Sequence, residues 1–178
     1  MKKIWTAKEL ATACSGKLVK ETNKQLSGFA IDNRKVESGN VFVAIKGETH
    51  DGHKFCEAAI KAGASAIIVS SLHENILNEN VSVIQVDDTL KALQKTANYY
   101  RHSLTDTKFL AVTGSNGKTT TRSMVFHILS KKYKCHMTEG NFNNHIGLPL
   151  TILSIDSDCE KCDNKNSRRQ YPARTKFK

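Results

Sequence analysis

The sequence has no apolar run near the ~18 residues that a membrane-crossing helix requires. Its first residues, MKKIWTAKELATACSGK, lack the sustained hydrophobic stretch of a secretory leader. Both absences predict a cytoplasmic protein with no membrane partner. Cysteine is sparse: Cys14, Cys56, Cys135, Cys159 and Cys162 are five in number, odd, and scattered except for the last two. That pattern argues against a disulfide framework and for free thiols in a reducing compartment. CEKC at residues 159–162 has the spacing of half a zinc knuckle, but no second cysteine pair or histidine couplet accompanies it. Aromatic residues make up 7% of the chain, and no stretch interleaves them with basic residues as single-strand nucleic-acid binders do. No internal repeat is present.

What is there is enough for real cores. Of 178 residues, 39% are hydrophobic, a length and content that suit one large or two small domains. Lysine and arginine number 27 against 17 acidic residues, a formal charge of +10 that favours anionic partners without choosing among them. Much of the excess is single lysines on helix-like segments, where a solvated face is the simpler reading, and part follows Ile155, with seven basic against four acidic residues.

Along the chain, strand-like and helix-like runs alternate. LSGFAID, NVFVAIKG, ASAIIVS and VSVIQV read as strands. Between them HKFCEAAIKAG spaces Phe55, Ala58, Ala59 and Ala62 as on a helix and stops at Gly63. Asp87, Asp88 and Thr89 are placed to cap a helix carrying Leu90, Leu93, Ala97 and Tyr100. The polar stretch RHSLTDTK then marks a domain boundary. FLAVT resumes as a strand apolar on both faces, which predicts a buried parallel strand, and Met124, Val125, Ile128 and Leu129 form the stripe of a following helix. From Asp156 the apolar pattern collapses, so residues 156–178 are expected to be disordered or weakly attached. The predicted fold class is α/β: a small amino-terminal α/β domain over residues 1–104, then the start of a P-loop ATPase parallel-sheet domain over residues 105–155.

The strand–loop–helix joint carries AVTGSNGKTTTR, residues 111–122. Free amides at a helix start, the positive end of its dipole, and glycines that let backbone approach closely make such a joint a phosphate cradle. Gly114, Ser115, Asn116, Gly117, Lys118, Thr119 and Thr120 are the candidate ATP-binding residues, with Lys118 on the terminal phosphates and the Thr119 hydroxyl on Mg2+. Gly114 and Gly117 are predicted to tolerate no side chain. The common P-loop has four residues between its glycines, whereas here only Ser115 and Asn116 intervene. GNFNN, residues 140–144, offers amide side chains either for phosphate or substrate oxygens or for capping its own turn. Arg34 and the KGETHDGH loop, residues 46–53, suit either a diphosphate or surface ion pairs.

Three blocks in order, DNRKVESGNVFVAIKGETHDGHKFCEAAIKAGASAIIV, TGSNGKTTT and EGNFNNHIGLPLTIL, resemble the Mur ligase superfamily, the amide-forming enzymes of peptidoglycan precursor synthesis and their folylpolyglutamate relatives. The resemblance covers nearly everything from Ser27 to Ser154. Its short glycine loop is similar to that family's ATP site, and the other two blocks are similar to the branch that joins D-alanyl-D-alanine to a UDP-N-acetylmuramoyl-tripeptide. The resemblance implies ATP and Mg2+ as cofactors, those two substrates as partners, an acyl-phosphate intermediate, and a monomer that binds no nucleic acid. It also implies substrate contacts from Asp32, Asn33, Arg34, Lys46, Gly47, Asp51, Gly52, His53, Asn141, Asn143 and Asn144. Asn33 stands where the family usually has Ser or Thr, and His145 where an acidic residue is common.

Family members are more than twice as long. The later acidic magnesium ligand, a metal-binding lysine, the adenine contacts and the carboxy-terminal domain have no counterpart here, so a truncated, inactive chain or a non-catalytic nucleotide-binding remnant is expected. The codons for Cys162, Asp163 and Asn164, read one base later, can encode Ala-Ile-Ile, which suggests a shifted reading frame in the tail.

Overall fold

A computed structural model describes residues 2–47, 50–138 and 144–165. The chain opens with β1 (Ile4–Trp5) and α1 (Ala7–Cys14), whose first turn is capped by the Thr6 hydroxyl accepting from the Glu9 amide at 3.1 Å. β2 (Lys17–Lys20) follows. The run read as one strand at LSGFAID divides at Gly28, which adopts φ 75°, into β3 (Leu26–Ser27) and β4 (Phe29–Ala30). β3 pairs antiparallel with β1. β5 (Val41–Val43), α2 (Cys56–Lys61), β6 (Ala66–Val69), α3 (Glu74–Asn78) and β7 (Ser82–Gln85) then alternate as the sequence predicts.

These strands form a five-stranded sheet in the order β2-β7-β6-β5-β4, parallel throughout except for β2. Side chains alternate across it. Val41, Val43, Ala66, Ile68 and Ile84 face α1 and α4 (Thr89–Ser103), whereas Phe42, Ile67, Val69 and Val83 face Cys56 and Ala59 of α2 and Ile76 of α3. Covering both faces explains the continuous apolar strands. Asp88 caps α4 as its sequence predicts, its carboxylate accepting from the amides of Leu90 and Lys91 at 2.9 and 3.0 Å.

The apolar face of α2 is only partly the predicted one. Ala59 turns inward as predicted, joined by Cys56, but Phe55, Ala58 and Ala62 are exposed. A 3-10 turn at Gly52–Phe55, held by hydrogen bonds of Asp51 and His53, sets the phase of the helix in place of the apolar spacing.

Beyond α4 come β8 (Lys108–Val112), α5 (Lys118–Leu129), β9 (Cys135–Met137), α6 (Gly147–Leu153) and β10 (Lys161–Lys165). β8, β10 and β9 form a parallel three-stranded sheet in that order. Two sequence expectations change here. β8 is parallel but not buried: it is a sheet edge with Leu110 37% exposed, and the α5 stripe leaves Met124 at 60% and Ile128 at 68%. Over residues 156–165 disorder is not what is found either, because Lys161–Lys165 lies between two strands, where ladder hydrogen bonds on both edges order a segment of poor apolar content, while the rest of that expectation, residues 166–178, lies outside the described residues. Cys159 and Cys162 are buried, and the Cys159 thiol donates to the Lys161 carbonyl at 3.1 Å.

One apolar core crosses residues 104 and 105. Ile152, Leu153 and Ile155 join Trp5, Leu93 and Tyr100, and the Tyr100 hydroxyl donates to the Ile155 carbonyl at 2.6 Å. Burial pushes the Tyr100 phenol up to about 12. Tyr100→Phe is expected to cost about 1–2 kcal/mol, the usual penalty for stranding one buried acceptor, read as a lowered urea midpoint with an unchanged slope. No described helix is long and apolar enough to cross a membrane.

Candidate nucleotide-binding site

The glycine loop joins the carboxyl end of β8 to the start of α5. Gly114 and Gly117 have φ of 151° and 75°, and Gly117 is the residue before the first helical turn. A Cβ at Gly117 would meet nothing within 4 Å, and one at Gly114 would come only to 3.6 Å of the Asn116 carbonyl oxygen. Backbone conformation, not lack of space, is therefore what demands glycine. No side chain caps α5, so its opening amides suit phosphate oxygens. The Lys118 ammonium folds back over the loop and donates to the carbonyls of Gly114 and Ser115, the second at 2.9 Å. Ser115, Asn116, Thr119 and Thr120 are exposed around it. This donor set fits a polyphosphate. For Mg2+ the chain offers the Thr119 hydroxyl, and among the described residues no group of three or more His, Cys, Asp or Glu is placed to hold a metal.

Arg122, one turn further along α5, is a residue the sequence reading missed. It is 5% exposed, yet its Nε and Nη1 have no hydrogen-bond partner among the described residues. Burying two guanidinium nitrogens without acceptors is costly. Arg122→Met, which keeps most of the volume, is expected to stabilise the chain by about 1–3 kcal/mol, seen as a higher melting temperature.

A second cluster sits at the carboxyl ends of β4, β5 and β6, the end at which open parallel sheets bind ligands. After β4, Asp32 accepts from Arg34 Nε at 2.9 Å, from Nη2 at 2.7 Å and from the Arg34 amide at 3.1 Å. The bidentate guanidinium holds the half-buried Asp32 carboxyl down at about 2. Arg34 thus makes an ion pair within the protein, with 82% of its side chain exposed. Asn33 starts the 3-10 turn between them.

After β5, the backbones of Lys46 and Asp51 form an antiparallel bridge, and Gly47 donates to the His50 carbonyl at 2.8 Å. Gly52 presses on the chain it folds over: a Cβ there would lie 2.8 Å from both Ile45 N and Ile45 O. His53 is buried, and both its ring nitrogens meet protein groups, Asp51 and the Ser70 that follows β6. Ser70 carries no local sequence signal, since its partner is 17 residues away.

Asn141 and Asn143 lie outside the described residues. Asn144 caps locally, its side-chain oxygen accepting from the amides of Ile146 and Gly147 at 3.1 and 2.6 Å. The structure therefore gathers Asp32, Asn33, Arg34, Lys46, Gly47, Asp51, Gly52 and His53 at one sheet end, and residues 114–120 at the end of β8.

The sequence pattern described as the Mur ligase family catalytic domain matches residues 25–101, and that of the Mur ligase middle domain matches residues 112–162. The second match runs past Ile155, further than the resemblance seen in the sequence alone. The chain is 45% identical over 157 residues to the UDP-N-acetylmuramoyl-tripeptide--D-alanyl-D-alanine ligase of Bacillus subtilis (strain 168), covering 87% of this chain and 34% of that protein. To the ligase of the same name from Synechocystis it is 39% identical over 134 residues, covering 75% of this chain and 29% of that one. Its fold is similar to MurF from Acinetobacter baumannii, with a TM-score of 0.84 and 30% identity over 93% of this chain and 36% of that one. It is also similar to the MurF ligase of Thermotoga maritima in complex with ADP, with a TM-score of 0.66 and 34% identity over 78% of this chain and 31% of the other. The chain spans about a third of the length of the curated relatives it matches.

Proposed function

From the premise that this chain belongs to the Mur ligase family, we propose that it serves the ATP-dependent joining of D-alanyl-D-alanine to a UDP-N-acetylmuramoyl-tripeptide. The observation that carries this reading is the glycine loop with Lys118 folded over it at the start of α5, in a sequence 45% identical to a ligase of that name. In this reading residues 105–155 belong to the ATP-binding part, where the opening amides of α5 hold the phosphates and Lys118 swings from the two carbonyls to the terminal phosphoryl group. The Thr119 hydroxyl would hold Mg2+, which when bound would supply charge neutralisation during the transfer.

The tripeptide carboxylate takes the γ-phosphoryl group and ADP leaves. The amine of D-alanyl-D-alanine then attacks the acyl carbon, an amide forms, and inorganic phosphate departs as the nitrogen loses its proton. Residues 1–104 hold the uridine diphosphate end through loops 32–34 and 46–53, and Asn141, Asn143 and Asn144 contact the substrate from the middle part. We place the chain in the cytoplasm as a monomer, with no nucleic-acid or membrane partner.

A second reading, a nucleotide-holding chain without turnover, is favoured by the exposed apolar side chains Met124 and Ile128 on α5. One experiment separates the two. The purified chain is titrated with ATP and Mg2+ and with UDP, and phosphate release is followed with both acceptor substrates present. Release that needs both acceptors supports the ligase, and binding without release supports the second reading. A folded chain that binds neither nucleotide overturns both.

A further inference from the structure

Helix α5 wears its polarity the wrong way round. Met124 and Ile128 are exposed, while its one buried side chain is that of Arg122. A surface helix ordinarily turns apolar residues inward and leaves its cations in water. The first turn of α5 is unusual in the same sense. No side chain caps it, no acidic residue lies in it, and Lys118 opens it, although the positive end of a helix dipole favours negative groups. For stability alone, an acid early in the helix and an aliphatic side chain at position 122 would serve better. Local rules broken together at one helix end are the mark of a ligand site.

Arg122 follows Lys118 by four residues, so the two share one side of the helix, about 6 Å apart along its axis. Helical side chains lean toward the amino end, which directs Arg122 toward the turn that Lys118 opens. The loop ahead of that turn has room: a Cβ at Gly117 would meet nothing within 4 Å, and Ser115 and Asn116 are exposed. The Lys118 ammonium already has the carbonyls of Gly114 and Ser115 as acceptors, whereas Nε and Nη1 of Arg122 have none among the described residues. Resting on the nucleotide-binding reading above, we infer that Arg122 is a second cation of the phosphate site: when a polyphosphate seats on the opening amides of α5, the guanidinium turns out of its unpaired place and donates to a phosphoryl oxygen. Arginine suits the role because it keeps its charge when buried and its planar donors match phosphate geometry. The unliganded chain carries the strain of the unpaired nitrogens, and the incoming oxygen relieves it. Removing Arg122 therefore weakens binding while stabilising the unliganded chain. An arginine that served only the fold would do the reverse of the second.

The test uses the intact chain, with ATP and Mg2+ as one probe and inorganic tripolyphosphate, which has no base or sugar, as the other. In calorimetric titrations Arg122→Met is expected to bind both probes about tenfold more weakly or worse, the size of one lost charge-assisted hydrogen bond. Its unliganded form is expected to melt at a higher temperature than the wild type. Arg122→Lys, which keeps the charge, is expected to stay within about fivefold of wild-type affinity for both probes. In the 15N-labelled wild-type chain the Arg122 Nε–H signal, assigned by its absence from Arg122→Met, is expected to shift as tripolyphosphate saturates the site. Unchanged affinity for both probes in Arg122→Met, or an Nε–H signal that ignores tripolyphosphate, would overturn the inference. A melting temperature lowered together with affinity would also overturn it, because Arg122 would then be serving the fold. If the wild-type chain binds neither probe, the nucleotide-binding reading and the inference fall together. If it binds both and Arg122→Met binds them equally well, the inference falls alone.

Discussion

Lys118→Ala is expected to lower affinity for ATP and Mg2+ about a hundredfold while leaving the fold intact. In the ligand-free chain the ammonium donates only to the loop carbonyls of Gly114 and Ser115, and the side chain is half-buried at the surface, so its removal leaves no buried group stranded. With a polyphosphate bound, the same ammonium meets charged oxygens instead, and each charge-assisted hydrogen bond contributes about 1.5–3 kcal/mol. One or two such bonds correspond to about two decades of affinity. Titration calorimetry reads the change, and an unaltered melting temperature separates it from unfolding. Undiminished ATP affinity in the variant would remove Lys118 from the cradle and leave the glycine loop a plain strand-to-helix turn.

Trp5→Ala is the substitution expected to cost most stability, about 4 kcal/mol, in the middle of the range for removing a large aromatic from a core. Trp5 is 2% exposed. Its ring lies 5.8 Å from Phe29 in an edge-on arrangement, 6.0 Å from Tyr99 and 5.8 Å from Tyr100, with the Lys3 ammonium 4.6 Å above it. It thereby joins β1, β4 and α4, the helix on which α6 also packs. Since whole domains are stable by only ~5–15 kcal/mol, the loss should lower the melting temperature by about 10 °C for a chain of this size. Trp5→Phe should recover part of it. A change of only a degree or two for Trp5→Ala would mean that the junction of β1, β4 and α4 does not stabilise the fold.

Much of the first sheet was legible because its signals are local. The strands VFV and AIIV are apolar on both faces, Asp88 sits where a helix needs an acceptor, and Gly63 adopts φ 112° where α2 must stop. The joint of strand, glycine turn and helix was legible for the same reason, since two glycines, a lysine and the following helix are consecutive in the chain. The surfaces of β8 and α5 were harder: their apolar pattern was read correctly as strand and helix, but the pattern does not say whether another layer covers it, and Met124 and Ile128 are exposed.

β10 was not legible. KCDNK has neither alternation nor β-branched residues, and its order comes from β8 and β9 hydrogen-bonding it from both sides. For the same reason the sequence ended the resemblance at Ile155, where side-chain signal ends but backbone pairing does not.

The sequence by itself determined the α/β class, the place of the glycine loop and the family, because each rests on residues adjacent in the chain whose conformational preferences act over a few bonds. Only the tertiary structure decided that Arg34 is engaged by Asp32, that His53 turns inward to the Ser70 amide, that Arg122 is buried with Nε and Nη1 unpaired among the described residues, and that Ile152, Leu153 and Ile155 complete the amino-terminal core. Tautomer, burial and pairing depend on which groups arrive from distant segments and how much water they displace, and no local pattern encodes those distances.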